Sequence, residues 1–380
     1  MHEHKHNQCK RKVKHRKNVM KLIIFCITVG ISLMFIYYQN LRKEIDVRQK
    51  WLETVLTGEK KWILENQGPE GEFYMNGSKA GDVNPYFACM AALGLLAETK
   101  NCPITETEKK AVGRYLDWHT GILLETDGKM GIYRKKSGKL IYKEKADSED
   151  GYLGMYLFLM GKYLEKTEST DLPEYWKKGI SLALKKIQSL MQDGITQVSE
   201  ENTTVYLMDN LEVWKGLYEL EHAGLKDVQA IREMRNKLQA QIEKLFWDDA
   251  NQRWRIIENS DLYHQKDFYP DGVAQIYPLI YEFPVKEKKK QKILYEQFTE
   301  RFQWQKLTKK RNGFLWAMTG MAAAQMGDIN NLLEMIRNYE AEYCENRKYP
   351  LYTGEAGWIC MECEKLYSLY ERKIKTGFLV

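Results

Sequence analysis

Residues 269–278, Tyr-Pro-Asp-Gly-Val-Ala-Gln-Ile-Tyr-Pro, combine a turn that carries one carboxylate, Asp271, with the start of an apolar helix. Polar residues at similar helix starts precede Asp271 at intervals of 62, 62 and 63 residues, at Asp209, Asp147 and Asn84. A single polar residue there usually caps its helix, because its side-chain oxygen accepts a free backbone N–H. The interval exceeds that of the common helical solenoids and leaves room for two helices with long loops. It therefore predicts a repeated helical hairpin.

The remaining pattern is helical, without the period-two alternation typical of strands. Three of the predicted loops, 67–83, 121–147 and 246–270, are long, and long loops in a compact domain usually serve function. Twelve helices are predicted, at residues 58–66, 84–98, 105–120, 148–165, 174–192, 206–223, 226–245, 271–282, 286–303, 312–326, 329–344 and 354–372.

The twelve predicted helices fall into two classes that assign them to layers. Even-numbered helices, such as those containing Gly151–Met160 and Gly313–Ala324, are apolar on nearly every side and include small residues. Such helices must be buried on most faces, and the small residues permit close approach. Odd-numbered helices, such as 174–192, carry Lys and Glu on one side, which is typical of an outer layer. Six inner and six outer helices predict an all-α (α/α)6 barrel of six helical hairpins, in which all inner N-termini share one face.

The basic charge of the chain belongs to its N-terminal tail. Residues 1–21 hold eight Lys or Arg and one Glu, so the totals of 58 and 52 leave 50 basic against 51 acidic residues elsewhere. The rest of the chain therefore gives no indication of nucleic-acid binding.

An uncharged segment, residues 22–41, follows the tail and is long enough to cross a bilayer. It lacks the short apolar core and small-residue cleavage site of a signal peptide. Because the positive charges precede it, we predict a single-pass protein of the cell membrane with its N-terminus in the cytoplasm. The predicted organisation is a basic cytoplasmic tail at 1–21, a transmembrane signal anchor at 22–41, a juxtamembrane stalk at 42–57 and an extracytoplasmic (α/α)6 domain at 58–380.

Other motifs that carry chemistry are not found. Cys360 and Cys363 have the spacing of a redox motif, but they lie in a helical pattern without the strand that this motif needs, so core packing is predicted. The sequence has no glycine-rich phosphate loop, no zinc-ligand spacing and no Ser/His/Asp order. We therefore expect no cofactor and no metal.

These features resemble the six-hairpin glycosidase superfamily over residues 58–372, and within it glycoside hydrolase family 8 and uncharacterised membrane-anchored bacterial relatives. Family 8 places its proposed base in a Tyr-x-Asp-Ala-x-x-x-x-Pro setting, to which the stretch around Asp271 is similar. The family's sugar-binding Asp at the start of the fourth helix is similar to Asp147 or Asp150. Its acid is a Glu before a Gly-rich helix start, whereas this chain has Asn84, with Asp82 two residues earlier.

Hydrolysis of a glycosidic bond needs one protonated carboxyl to release the leaving oxygen and one ionised carboxyl to activate water or attack carbon. The resemblance implies Asp271 as the base, and Asp209, Asp82 and Glu355 are the acid candidates. Sugar rings stack on aromatic faces, although core packing also favours aromatic residues. Residues expected to bind substrate lie near the inner helix starts: Asp147, Asp150, Asn84, Tyr86, Tyr152, Tyr206, Trp214, Tyr269, Gln275, Trp316 and Trp358.

The leading hypothesis is a membrane-anchored extracytoplasmic glycoside hydrolase that acts on a cell-surface or extracellular polysaccharide. Its expected partners are a carbohydrate polymer or oligosaccharide and, through residues 22–41, the lipid bilayer. A non-catalytic carbohydrate-binding or scaffold protein is the alternative, because Asn84 stands where the family pattern has Glu. A third hypothesis is a polysaccharide lyase on the same barrel, with Tyr206 or Tyr269 as its base.

Overall fold

The structure is a computed structural model that describes residues 2–77, 81–136, 139–169, 172–258, 260, 267–307 and 313–376, without the side chains of 2–19 and 376. Most of the predicted basic tail therefore lies outside the described side chains. The described residues form twelve α-helices: α1 (His2–Glu65), α2 (Pro85–Leu95), α3 (Glu106–Glu125), α4 (Glu149–Thr167), α5 (Glu174–Leu190), α6 (Leu207–His222), α7 (Gln229–Phe246), α8 (Val273–Ile280), α9 (Lys288–Phe302), α10 (Thr319–Met326), α11 (Ile329–Tyr339) and α12 (Thr353–Thr376).

Seven short strands accompany these helices. β1 (Asp82–Val83), β2 (Gly131–Lys136) and β3 (Lys139–Lys145) form one antiparallel sheet in that order. Two separate two-stranded ladders contain β4 (Met191–Gln192) with β5 (Ile195–Thr196), and β6 (Trp247–Asp248) with β7 (Arg253–Trp254).

The chain divides into two compact units, one of Met1–Leu52 with Tyr370–Val380 and the other of Glu53–Leu369. In the first unit, the Arg48 guanidinium donates a 3.3 Å hydrogen bond to the Tyr370 hydroxyl. The same unit contains an apolar stretch of α1, near its N-terminus, with mean hydropathy 2.2 and no buried residue. Its length and composition suit a membrane anchor and equally suit a signal sequence.

The second unit is the predicted barrel. Its inner helices contact one another in the ring order α2, α4, α6, α8, α10, α12 and back to α2. The outer helices α3, α7, α9 and α11 each contact the inner helix before them in sequence, and α5 likewise contacts α4. The last turns of α1 complete this layer, because Glu59 accepts a hydrogen bond from Tyr339 of α11 and Lys60 pairs with Glu108 of α3.

Glycines set the close spacing of the inner helices. A Cβ on Gly357 of α12 would lie 2.1 Å from the carbonyl oxygen of Met90 in α2, and a Cβ on Gly94 would lie 2.4 Å from the Gly357 Cα. Likewise, a Cβ on Gly216 of α6 would lie 2.3 Å from the Gly154 carbonyl oxygen in α4. Real Cβ atoms do not approach backbone atoms this closely, so the expectation that small residues permit close approach is confirmed.

Ion pairs join the C-terminal halves of the inner helices. Lys215 of α6 lies 2.7 Å from Glu219 and 2.8 Å from Glu282, and Lys162 of α4 lies 3.1 Å from Glu219. Burial opposes ionisation of Glu282, but Lys215 and Lys365 lower its pKa to about 2. Because both Lys215 and Glu219 are only 4% exposed, loss of one partner would leave a buried charge with less compensation.

Helix α1 continues through Gly58, where the sequence predicted the start of the first barrel helix. A glycine inside a helix costs about 1 kcal/mol relative to alanine. Val55, Leu56 and Ile63 are buried on either side of it, and this packing outweighs the local penalty. The prediction that Cys360 and Cys363 pack in the core is confirmed, because both are buried and unpaired.

The predicted loop at 121–147 contains the β2–β3 hairpin, which the sequence analysis missed. Most residues of β3 are charged and all but one are exposed, so the strand shows no apolar-to-polar alternation. α10 begins at Thr319 rather than at residue 312. Before it, Gly313 and Trp316 have φ values of +79° and +59°, which a right-handed helix cannot contain.

Candidate active site

A cavity of about 580 Å³ opens where the inner helices begin. Residues at or near the N-termini of all six inner helices line it, as the shared-face prediction requires. The lining comprises Met75, Asp82, Asn84, Tyr86, Phe87, Met90, Ile132, Lys143, Glu144, Lys145, Asp147, Ser148, Tyr152, Met208, Asp209, Glu212, Tyr269, Tyr277, Phe314, Trp316, Met318, Glu355 and Trp358.

Two carboxylates of the lining come from the starts of α4 and α6. Asp147 is exposed and precedes Ser148, whose side chain caps α4, whereas Asp209 is half-buried in the first turn of α6. Neither Asp147 nor Asp209 is therefore a helix cap. Burial raises the pKa of Asp209 well above its usual range, and the neighbouring carboxylates of Asp150 and Glu212 raise it further. Asp209 thus keeps its proton at a pH where an exposed aspartic acid has lost it.

Glu212 is a cavity residue that the sequence analysis missed. Its Oε1 atom accepts hydrogen bonds from the hydroxyls of Tyr86, Tyr277 and Tyr281, the last two at 2.6 and 3.3 Å. Burial raises the pKa of Glu212 to about 8, although these hydroxyls favour its ionised form. The spacing of Glu212 from Asp209 could have identified it in the sequence. Asp209 was already a candidate, and residues three apart on a helix share a face.

Glu355, an acid candidate at the start of α12, holds the loop before α10. Its carboxylate accepts the backbone N–H groups of Trp316 and Ala317 at 3.2 and 2.8 Å. Burial raises the pKa of Glu355 to about 7, against the effect of these N–H groups. Because Trp316 has a left-handed backbone that is unfavourable for a bulky residue, Glu355 stabilises the conformation that presents its ring.

Asp82, the third acid candidate, is engaged by cations at the cavity edge. Arg134 Nε and Lys143 Nζ donate to its carboxylate at 2.5 and 2.8 Å. The hydrogen bond from Arg134 and the charge of Lys143 lower its pKa despite partial burial. Asp82 therefore favours the ionised form, which cannot donate a proton. The Asn84 side chain nearby caps α2 by accepting the Tyr86 N–H at 2.9 Å.

Asp271 and Gln275 do not belong to the cavity lining. Asp271 is 3% exposed in a π-helical turn, Phe268–Gly272, just before α8. Gln275, four residues later, exchanges hydrogen bonds of 2.9 Å with both backbone groups of Trp254 in β7. Gln275 therefore faces the β6–β7 ladder, whereas Tyr277 of the same helix lines the cavity. Of the base and acid candidates, Asp271 is the one that does not line the cavity.

Three further expected binding residues lie outside the lining. Asp150 is fully buried, accepts a 2.7 Å hydrogen bond from Thr196 Oγ1, and has its pKa raised to about 6 by burial. Tyr206 forms a β-bridge with Ile257. Trp214 packs against Tyr218 and Phe283. Trp214 follows Asp209 by five residues, or about 140° around the helix, so the two side chains diverge.

The other five expected aromatic residues line the cavity. Tyr86 and Tyr152 have ring centroids 5.6 Å apart, and Tyr269 and Trp316 are 4.8 Å apart. Trp358 also borders a second cavity of about 230 Å³, and its buried indole N–H has no hydrogen-bond partner among the described residues. These rings and the carboxylates line the same cavity.

Structural comparison relates this barrel to enzymes that act on sugars. A solved structure described as a wild-type glycosidase matches with a TM-score of 0.61 and 12% identity, over 85% of this chain and 98% of its own. A novel α-amylase from Clostridium perfringens matches with a TM-score of 0.52 and 13% identity, over 83% and 97%. D-mannose isomerase matches at 0.54 and 11%, over 84% and 97%.

These likenesses establish a shared helical-barrel fold. No protein-family model and no curated protein sequence matches the chain. Because an isomerase shares the fold with glycosidases, the reaction has to be argued from the residues of the site.

Because the protein contains buried acids, we predict that it loses stability as the pH rises from 5 to 8. The pKa values of Asp150, Glu355 and Glu212 are raised to about 6, 7 and 8, so the folded chain holds protons that the unfolded chain has released. Their contribution is fully present below about pH 4 and is lost as the pH passes each folded pKa.

Thermal unfolding of the detergent-solubilised full chain at pH 5 and pH 8 measures this effect. We expect a lower Tm at pH 8, and a smaller difference between the two pH values in Glu212→Gln, which cannot titrate. An equal or higher Tm at pH 8 in the wild type would contradict the prediction.

Proposed function

We propose that the protein is a glycoside hydrolase whose catalytic carboxyls are Asp209 and Asp147. The main support is that these two residues, from neighbouring inner helices, line one cavity together with aromatic side chains. This combination of a protonated acid, an exposed carboxylate and aromatic walls matches what hydrolysis of a glycosidic bond requires.

Asp209 acts as the general acid in this proposal. Its raised pKa keeps a proton available for the leaving oxygen, and its half-buried position leaves it accessible from the cavity. Asp82 is less suitable because it is paired with Arg134 and Lys143. Glu355 is less suitable because its oxygens already accept two backbone N–H groups.

Asp147 acts as the second carboxylate, which activates water or attacks the anomeric carbon. We assign this role to Asp147 rather than Asp271, since Asp147 is exposed and lines the cavity. Glu212, held by three tyrosine hydroxyls, would fix the positions of Tyr86 and Tyr277 in the cavity wall. The similarity of residues 269–278 to glycoside hydrolase family 8 remains a prediction.

The proposed substrate class and location rest on sequence features. We infer that residues 22–41 anchor the protein in the cell membrane and that the barrel acts outside the cytoplasm on a cell-surface or extracellular polysaccharide. The apolar, exposed stretch of α1 and the basic residues before it support this topology.

Assay of the detergent-solubilised full chain against a panel of polysaccharides tests the function. We expect new reducing ends from at least one glycan. Retention on a glycan array without new reducing ends would favour the carbohydrate-binding alternative. Products absorbing in the ultraviolet would favour the lyase. Burial raises the pKa of Tyr269 to about 12, so its hydroxyl stays protonated near neutral pH and Tyr269 is a poor candidate for the base.

A further inference from the structure

We propose that an aromatic platform, formed by Tyr269, Trp316, Phe314, Phe87, Tyr352 and Tyr349, binds further sugar units of a neutral polysaccharide along a path that leads out of the cavity. This inference rests on the proposed function, because it extends the same site along the substrate. Its substrate is therefore a polymer or a long oligosaccharide, recognised over several consecutive units.

The platform is continuous from the cavity to the surface. Ring centroids are 4.8 Å apart between Tyr269 and Trp316, 6.0 Å between Trp316 and Phe314, and 5.7 Å between Phe314 and Tyr352. A further 6.2 Å separates Tyr352 from Tyr349. Tyr269, Trp316 and Phe314 line the cavity, whereas Tyr352 and Tyr349 do not. The aromatic surface therefore leads out of the cavity.

The rings of the platform are partly open to solvent. Tyr349 is 57% exposed and Tyr269 is 41% exposed, while Phe314, Trp316 and Tyr352 are half-buried. A row of exposed aromatic rings is unfavourable in water, and a contiguous apolar patch of this kind marks an interaction site or a ligand-binding groove. Core packing does not require Tyr349 to be aromatic, because most of its side chain lies outside the core.

The backbone at position 313 brings the outer ring against the loop before α10. Gly313 has a φ of +79°, and a Cβ there would lie 2.7 Å from the Tyr349 hydroxyl oxygen. This close approach joins the loop that presents Phe314 and Trp316 to the segment that presents Tyr349 and Tyr352.

The chemistry of the platform favours uncharged sugars. All six side chains are uncharged aromatics, whereas recognition of a polyanion relies on Arg and Lys. Aromatic faces bind the C–H faces of sugar rings, and the tyrosine hydroxyls can exchange hydrogen bonds with sugar hydroxyls. A cavity of about 580 Å³ accommodates a small molecule, so the remaining units of a polymer must lie outside it.

Kinetics with oligosaccharides of increasing length test the platform. The variants are Tyr349→Ala, Tyr352→Ala and the conservative Tyr349→Phe, and the matched control is Tyr175→Ala, an exposed tyrosine on outer helix α5. For the glycan cleaved by the wild type, we expect each Ala variant to raise KM for octasaccharides about tenfold with kcat unchanged. Kinetics with trisaccharides should be unaffected, Tyr349→Phe should retain most of the octasaccharide affinity because it keeps the ring, and Tyr175→Ala should behave as wild type. Equal effects on short and long substrates would overturn the proposal.

Affinity electrophoresis separates the platform from catalysis. The full chain and its variants run in gels cast with hydroxyethyl cellulose, xylan, mannan or the polyanion polygalacturonate. We expect at least one neutral polymer to retard the wild type, and Tyr349→Ala to reduce that retardation even if no glycan is hydrolysed. Retardation by polygalacturonate alone, or by none of the four, would refute the platform, and thermal melts of each variant confirm that it is folded.

Discussion

Replacing Asp209 by Asn is expected to lower kcat for polysaccharide hydrolysis by about 10³-fold while the barrel stays folded. Asn has nearly the same shape as Asp but cannot supply the proton that the leaving oxygen needs, and a general acid contributes about 10²- to 10⁴-fold. Burial and the neighbouring carboxylates of Asp150 and Glu212 raise the pKa of Asp209, so the neutral amide replaces a side chain that is itself uncharged. We therefore expect the Tm of Asp209→Asn to equal or exceed that of the wild type.

Reducing-end assays with three variants measure the effect. Asp147→Asn should show a loss of similar size, whereas Asp227→Asn, an exposed residue with a φ of +60° that Asn also tolerates, should keep full activity. Hydrolysis of an aryl glycoside with an acidic leaving group needs no proton donor. Asp209→Asn should therefore hydrolyse this substrate at a rate much closer to that of the wild type, whereas Asp147→Asn should not. Retention of more than half the polysaccharide activity by Asp209→Asn would exclude it as the acid.

Replacing Lys215 by Ala is expected to lower the free energy of unfolding by about 3 kcal/mol. The substitution removes the cation that lies 2.7 Å from Glu219 and 2.8 Å from Glu282. Removing one partner of a buried ion pair costs about 3–5 kcal/mol. Lys162 still pairs with Glu219 and Lys365 still pairs with Glu282, so we expect a loss at the low end of this range.

Chemical denaturation of the full chain in detergent gives the comparison for Lys215→Ala. The control is Lys177→Ala, whose exposed ion pair with Glu174 spans 3.6 Å and should contribute less than about 1 kcal/mol. Similar losses in the two variants would show that burial of the network has no energetic importance.

The sequence predicted the barrel because its signals repeat. The interval that relates Asn84, Asp147, Asp209 and Asp271 recurs over four successive hairpins, and the structure places each of these residues next to the start of an inner helix. The all-round apolar composition of the even-numbered helices then identified the layers. Errors arose where local patterns were weak, as in the charged and exposed strand β3.

The direction of individual side chains was harder to predict. Position at a helix start does not determine the face on which a side chain lies, so Asp271 was grouped with Asp209 although only Asp209 lines the cavity. Trp214 was selected for its aromatic ring near a helix start, yet it packs in the core. Glu212 was overlooked because it lies beyond the first turn, although its spacing of three residues from Asp209 places both on one helix face.

The glycine contact between α2 and α12 affects how the chain is synthesised. Gly94 and Gly357 join the first inner helix to the last one, so the ring cannot close until α12 has left the ribosome. Every shorter nascent chain exposes the apolar edge of α2 that α12 later covers. This edge is therefore prone to aggregation until translation has finished.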